Sequence, residues 1–121
     1  MAVNLDSLKT QYLQDDTSTQ IGRLAGNLAQ IKVLAQAGTE GQLAQDLIRE
    51  SQFFIEWSVP RLNLETRLEL ATELVELQRQ LIRWKLHWSG LWASSNDRLQ
   101  IAKHAQAWSD RLLNLSGLLA S

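Results

Sequence analysis

The sequence has no cysteine and a single proline, Pro60. Without thiols there are no disulfides, iron–sulfur clusters, thiolate zinc sites or cysteine nucleophiles. With one proline, long stretches are free of the residue that breaks helix interiors. Basic runs are also missing. Lys and Arg total 12 against 13 Asp and Glu, a formal net charge of -1. Phosphate contacts supply most of the affinity of nucleic-acid binders, so no nucleic-acid partner is expected. No apolar run approaches the roughly 20 residues of a membrane span, so no transmembrane segment is expected. Met1-Ala2-Val3-Asn4-Leu5-Asp6 lacks the basic start and apolar stretch of a signal peptide. A cytoplasmic protein is the expectation. There is no Gly-x-Ser-x-Gly, phosphate-binding glycine loop or dinucleotide fingerprint. No catalytic residue, metal ligand or cofactor is therefore assigned.

What remains is helix-forming material. Hydrophobic residues make up 45% of the 121 positions and charged residues 21%, enough for one packed domain spanning 1–121. Leu, Ala, Gln and Glu dominate, and the recurring apolar period is three to four residues. The pattern predicts helices over about 17–37, 40–58, 63–92 and 96–119, with a short lead-in over 4–13. Asp15-Asp16-Thr17-Ser18 offers acceptors for the first N-terminus, and Gly38 is placed to end that helix. Thr39 and Gln42 have the spacing of a capping box for the second. Pro60 breaks the chain near 58–62, and Ser94-Ser95-Asn96-Asp97 makes the last turn. The third helix carries a 4-3 seam, Leu70, Leu74, Leu77, Leu81, Trp84, Trp88 and Leu91. A second apolar line, Leu64, Leu68, Ala71, Val75 and Ile82, lies about 100° round the same helix. Ser89-Gly90 could bend or end it. The fourth helix has Ile101, Ala105, Trp108, Leu112, Leu115 and Leu119. Short turns between long helices favour antiparallel neighbours. The expectation is an all-α fold, an up-down-up-down four-helix bundle with a short N-terminal helical extension.

Five tryptophans stand out. Trp84, Trp88 and Trp92 are four apart and share a face. Trp108 falls level with Leu81 and Trp84 if the last two long helices fold back. Two readings compete: bundle core, or an aromatic surface for a partner or planar ligand. Trp84 and Trp88 lie on the seam, which favours core. Trp57 and Trp92, near helix ends, are the better interface candidates. His87 and His104 could approach each other, but two histidines alone do not close a metal site. Glu65, Glu69, Glu73 and Glu76 form an acidic stripe, with Arg79, Arg83 and Lys85 following. Favourable interaction with the helix dipole explains that order. A metal site would need a second acidic half that the sequence does not offer. Gly22 and Gly26, flanked by Ala25 and Ala29, make a small-residue face suited to close packing, inside the bundle or against a second chain.

Three segments, Ser18-Thr19-Gln20-Ile21-Gly22-Arg23-Leu24-Ala25, Phe53-Phe54-Ile55-Glu56-Trp57-Ser58-Val59-Pro60 and Trp108-Ser109-Asp110-Arg111-Leu112-Leu113-Asn114-Leu115-Ser116-Gly117-Leu118-Leu119, resemble small uncharacterised cyanobacterial proteins. The resemblance implies an origin and a role near the photosynthetic apparatus. It brings no activity, cofactor or site residue with it.

The leading functional reading is a non-enzymatic helical interaction or assembly module. Its partner would be itself, as a homodimer, or another protein, met through tryptophans and the small-residue face. One alternative is a binder of a planar apolar ligand such as a tetrapyrrole, with Trp84, Trp88, Trp108, His87 and His104 lining the pocket. A second is a metal-dependent hydrolase using the glutamate stripe.

Overall fold

The computed structural model describes residues 4–117, and all regular structure among them is helical. In chain order the elements are α1 (Leu5–Gln14), α2 (Thr17–Ala37), α3 (Gly41–Ser58), a 3-10 turn (Val59–Arg61), α4 (Leu64–Leu86), α5 (Trp88–Ala93) and α6 (Ser95–Ser116). The predicted continuation of the last helix to Leu119 lies outside the described residues. Among the described residues no helix is long and apolar enough to cross a membrane.

Short polar side chains start most of the helices. Asn4 accepts from the Ser7 N–H at 3.1 Å, Asp16 from Thr19 at 2.8 Å, Asn63 from Glu65 at 2.9 Å and Ser94 from Asp97 at 3.3 Å. Each satisfies an N–H with no partner inside its helix. The backbone bond from Thr19 also holds the Asp16 carboxyl below its ordinary range. The start of α3 differs from the predicted capping box. Gly38 ends α2 in the left-handed region (φ 70), and Glu40, not Thr39, takes the N-cap place (φ 57) with no side-chain bond to the helix. Gly41, the first residue of α3, packs closely against the Trp92 indole, a tertiary contact that the local sequence does not announce.

Contacts between the long helices run in opposite chain directions. On α2 and α6, the Ser18 hydroxyl donates to the Ser116 carbonyl at 2.6 Å and the Ser109 hydroxyl to the Ala25 carbonyl at 3.0 Å, while Arg98 sits over Gly38. On α2 and α3, Arg23 lies over the Phe54 ring at 5.1 Å and Asn27 donates to Glu50 at 3.2 Å. On α4 and α6, Arg67 donates to the Leu115 carbonyl at 3.1 Å and Arg111 to Glu73 at 3.0 Å. The Gln78 amide, donating to the Gln52 carbonyl at 3.3 Å, ties α4 to α3. The core between these helices is Ile21, Leu24, Leu28 and Ile31 of α2, Ile48 and Phe54 of α3, Leu70, Leu74, Leu77 and Leu81 of α4, and Ile101 and Leu112 of α6.

The helix predicted over 63–92 is interrupted. At His87 (φ -112, ψ 18) the backbone leaves the helical region, and α5 starts at Trp88. Ser89 and Gly90, the expected bend, lie inside α5. The break is set by packing: Trp88 turns into the core and stacks on Trp92 at 4.8 Å, and Trp92 reaches Gly41. Arg67 also departs from helical angles (φ -126, ψ 28), so the first turn of α4 is offset from the rest.

Tyr12 fastens α1 to this core. It is fully buried, stacks on Phe54 at 4.2 Å and shares a 2.6 Å hydrogen bond with the Ser58 hydroxyl. Burial pushes its phenol from 10.0 up to about 12. A raised phenol pKa favours the neutral form in the folded chain. That contribution is whole below pH 10 and is lost as pH rises through about 12. Tyr12 is the sole tyrosine, so tyrosinate absorbance reports it alone. Alkaline titration is expected to give a midpoint near 12 in native buffer and near 10 in urea; a native midpoint near 10 would contradict the buried placement.

Candidate functional site

The outer face of α4 is the most distinctive surface feature. Leu70, Leu74, Leu77, Leu81 and Trp84 face the core and are buried. The second apolar line faces the other way. Leu64 is 58% exposed, Leu68 61%, Val75 44%, Ile82 44% and Leu86 72%. At 3.6 residues per turn, Leu68, Val75, Ile82 and Leu86 fall within an arc of about 40°. They form one longitudinal stripe. Ala71, predicted on the same line, is buried. Leu86 extends the line beyond the predicted Leu64, Leu68, Ala71, Val75 and Ile82, at a spacing of four from Ile82.

Charged residues border the stripe on one side. Glu65 and Glu69 lie along its first half, Glu76 just past its middle and Arg79 and Arg83 along its second half. Glu76 pairs with Arg79 at 3.4 Å across a solvent-exposed helical turn, and Glu73 pairs with Arg111 of α6. Glu65, Glu69 and Arg83 make no ion pair among the described residues. A row of exposed aliphatic side chains edged by charge is the arrangement found where proteins meet other proteins.

The tryptophans divide differently. Trp84 and Trp88 are buried. Trp57 is half-buried beside Phe53 at 5.6 Å and Tyr12 at 5.8 Å. Trp92 is half-buried on Trp88. Trp108 is half-buried on α6 with the Arg111 guanidinium over its face at 4.7 Å. The structure does not bring the five rings into one surface. Trp92 instead has a packing role at Gly41, where an added Cβ would stand 2.7 Å from its Nε1. Gly41→Ala is expected to displace the indole and to cost about 1–3 kcal/mol. Urea unfolding followed by tryptophan fluorescence measures this; an unchanged midpoint and spectrum would contradict it.

Trp84, His87 and His104 do line one cleft, together with Leu91 and Ile101, between α4 and α6. Its volume is about 220 Å³, and Trp88 and Trp108 are not in its walls. Ligand pockets generally measure roughly 300–1,000 Å³. Both histidines are exposed. Among the described residues no group of three or more His, Cys, Asp and Glu side chains is placed to hold a metal ion.

On the small-residue face, Ala25 is buried under Ser109 and Ala29 and Gly22 are half-buried. Gly26 is exposed, and a Cβ there would meet nothing within 4 Å. On this face α2 meets α6 where the Ser109 hydroxyl donates to the Ala25 carbonyl.

No protein-family model, curated protein or solved structure matches the chain.

Proposed function

We propose that the chain is a non-enzymatic helical assembly module, a cytoplasmic homodimer in its simplest form, that uses the outer stripe of α4 as its contact surface. The architecture that goes with this reading is an up-down-up-down bundle of α2, α3, α4 and α6, with α1 as an extension. The opposed contact order of the helix pairs supports it. The observation that carries the functional reading is the exposure of Leu64, Leu68, Val75, Ile82 and Leu86 on one side of a helix whose other side already fills the core. Burying one such side chain contributes about 1.5–3 kcal/mol, so several along one stripe supply a real drive to associate. Sedimentation of the purified protein at micromolar concentration tests the reading. A species of twice the 13.7 kDa chain mass is expected; a strict monomer with no dye-binding apolar patch would overturn it.

A further inference from the structure

We propose that two copies pair α4 against α4 in antiparallel orientation, across a twofold axis beside Val75, with Leu68 of one copy packed on the partner's Ile82. This rests on the assembly reading and specifies its geometry. The first argument is spacing. A twofold interface must be self-complementary: where residue i meets residue j, j also meets i. Leu68 and Ile82 each stand seven residues, two helical turns, from Val75. Leu64 and Leu86 each stand eleven away, although the offset at Arg67 makes Leu64 an end contact. The exposed stripe therefore reads the same from either end.

Charge is the second argument. The acids Glu65, Glu69 and Glu76 and the bases Arg79 and Arg83 all border the same side of the stripe. In an antiparallel pair, like flanks of the two helices lie together. Glu69 then comes beside the partner's Arg79 and the partner's Arg83, and the bases beside the partner's Glu69. A parallel pair would set the two charged flanks on opposite sides of the interface, so Glu69 and Arg83 would meet no charge across it. The antiparallel pair also opposes the two helix dipoles. Glu69 and Arg83 make no ion pair within the chain among the described residues, so both are available across the interface.

The absence of native cysteine makes cross-linking a clean test, because an introduced thiol has no competitor. Val75→Cys protein, oxidised at micromolar concentration, is expected to form a covalent dimer. Leu68→Cys and Ile82→Cys proteins are expected to cross-link when mixed but not singly, since each of those positions stands about 21 Å from its own copy. Val33→Cys and Leu99→Cys, equally exposed on other helices, report random collision. Glu69→Arg is expected to weaken association about 10-fold, and adding Arg83→Glu to restore it. Self-cross-linking of Leu68→Cys, or a dimer that yields no bond at Val75→Cys, would overturn the antiparallel pairing while leaving an assembly. A monomer by sedimentation would overturn both.

Discussion

Replacing Tyr12 with alanine is expected to cost about 3–5 kcal/mol, the range for removing a large buried ring. Tyr12 is the one fully buried side chain of α1, and Leu8 and Leu13 beside it are only partly covered. Its ring packs against both Phe54 and Trp57, and its backbone carbonyl takes the Gln20 amide at 2.9 Å. Alanine leaves a cavity and strips the buried Ser58 hydroxyl of its 2.6 Å partner. An isolated helix of ten residues is too short to hold itself together in water, so α1 is expected to detach. Tyr12→Phe keeps the ring and loses the hydroxyl contact, an expected cost of about 1–3 kcal/mol. Urea unfolding gives both values, and amide exchange in Leu5–Gln14 shows the detachment. A loss below about 1 kcal/mol in the alanine variant, with α1 still protected, would show that α1 is anchored elsewhere.

The second large effect concerns association rather than folding. Leu68→Glu combined with Ile82→Glu is expected to weaken self-association at least 100-fold, about 2.7 kcal/mol. The change removes two apolar contacts and sets carboxylates where a partner surface must exclude water. Neither side chain takes part in the core, so folding stability is expected to stay within about 0.5 kcal/mol. Glutamate at Val33 and Leu99, on α2 and α6, is expected to leave association unchanged. Sedimentation across a dilution series, paired with thermal unfolding of the dissociated chain, separates the two effects. Equal association of the stripe variant and wild type would remove α4 from the contact.

The helical fold was legible because its determinants are local. The 4-3 seam Leu70, Leu74, Leu77, Leu81, Trp84, Trp88 and Leu91 states which side of α4 and α5 turns inward; the first six side chains are buried and Leu91 is partly buried. Asp16, Gly38, Pro60 and Ser94 mark ends through chemistry that acts within a turn or two. What escaped the sequence depends on partners distant in the chain. Ser89-Gly90 announces a bend, but the break falls two residues earlier, at His87, where Trp88 enters the core and Trp92 reaches Gly41, about fifty residues upstream. Thr39 and Gln42 carry a capping box by spacing, yet α3 starts one residue later, with Glu40 at the N-cap and Gly41 against that same indole. The bend at Arg67 goes with its reach to Leu115 on α6.

The candidate surface was half legible. The second apolar line of α4 could be read from spacing, but spacing cannot say whether a neighbouring helix covers it. The fold leaves it bare. The aromatic rings drew attention in the sequence because of their number, and most of their area is spent inside, on Phe54, Gly41 and each other. Of the small-residue face Gly22, Ala25, Gly26 and Ala29, Ala25 is buried with its carbonyl bonded by the Ser109 hydroxyl, whereas Gly26 faces open space.

Hydroxyl-radical labelling across a concentration series tests the contact surface most directly. Leu68, Val75, Ile82 and Leu86 are expected to label readily in dilute protein and to become protected as concentration rises, while Val33 and Leu99 label equally throughout. Stripe residues that stay as reactive as Val33 and Leu99 at every concentration would contradict an interface on α4.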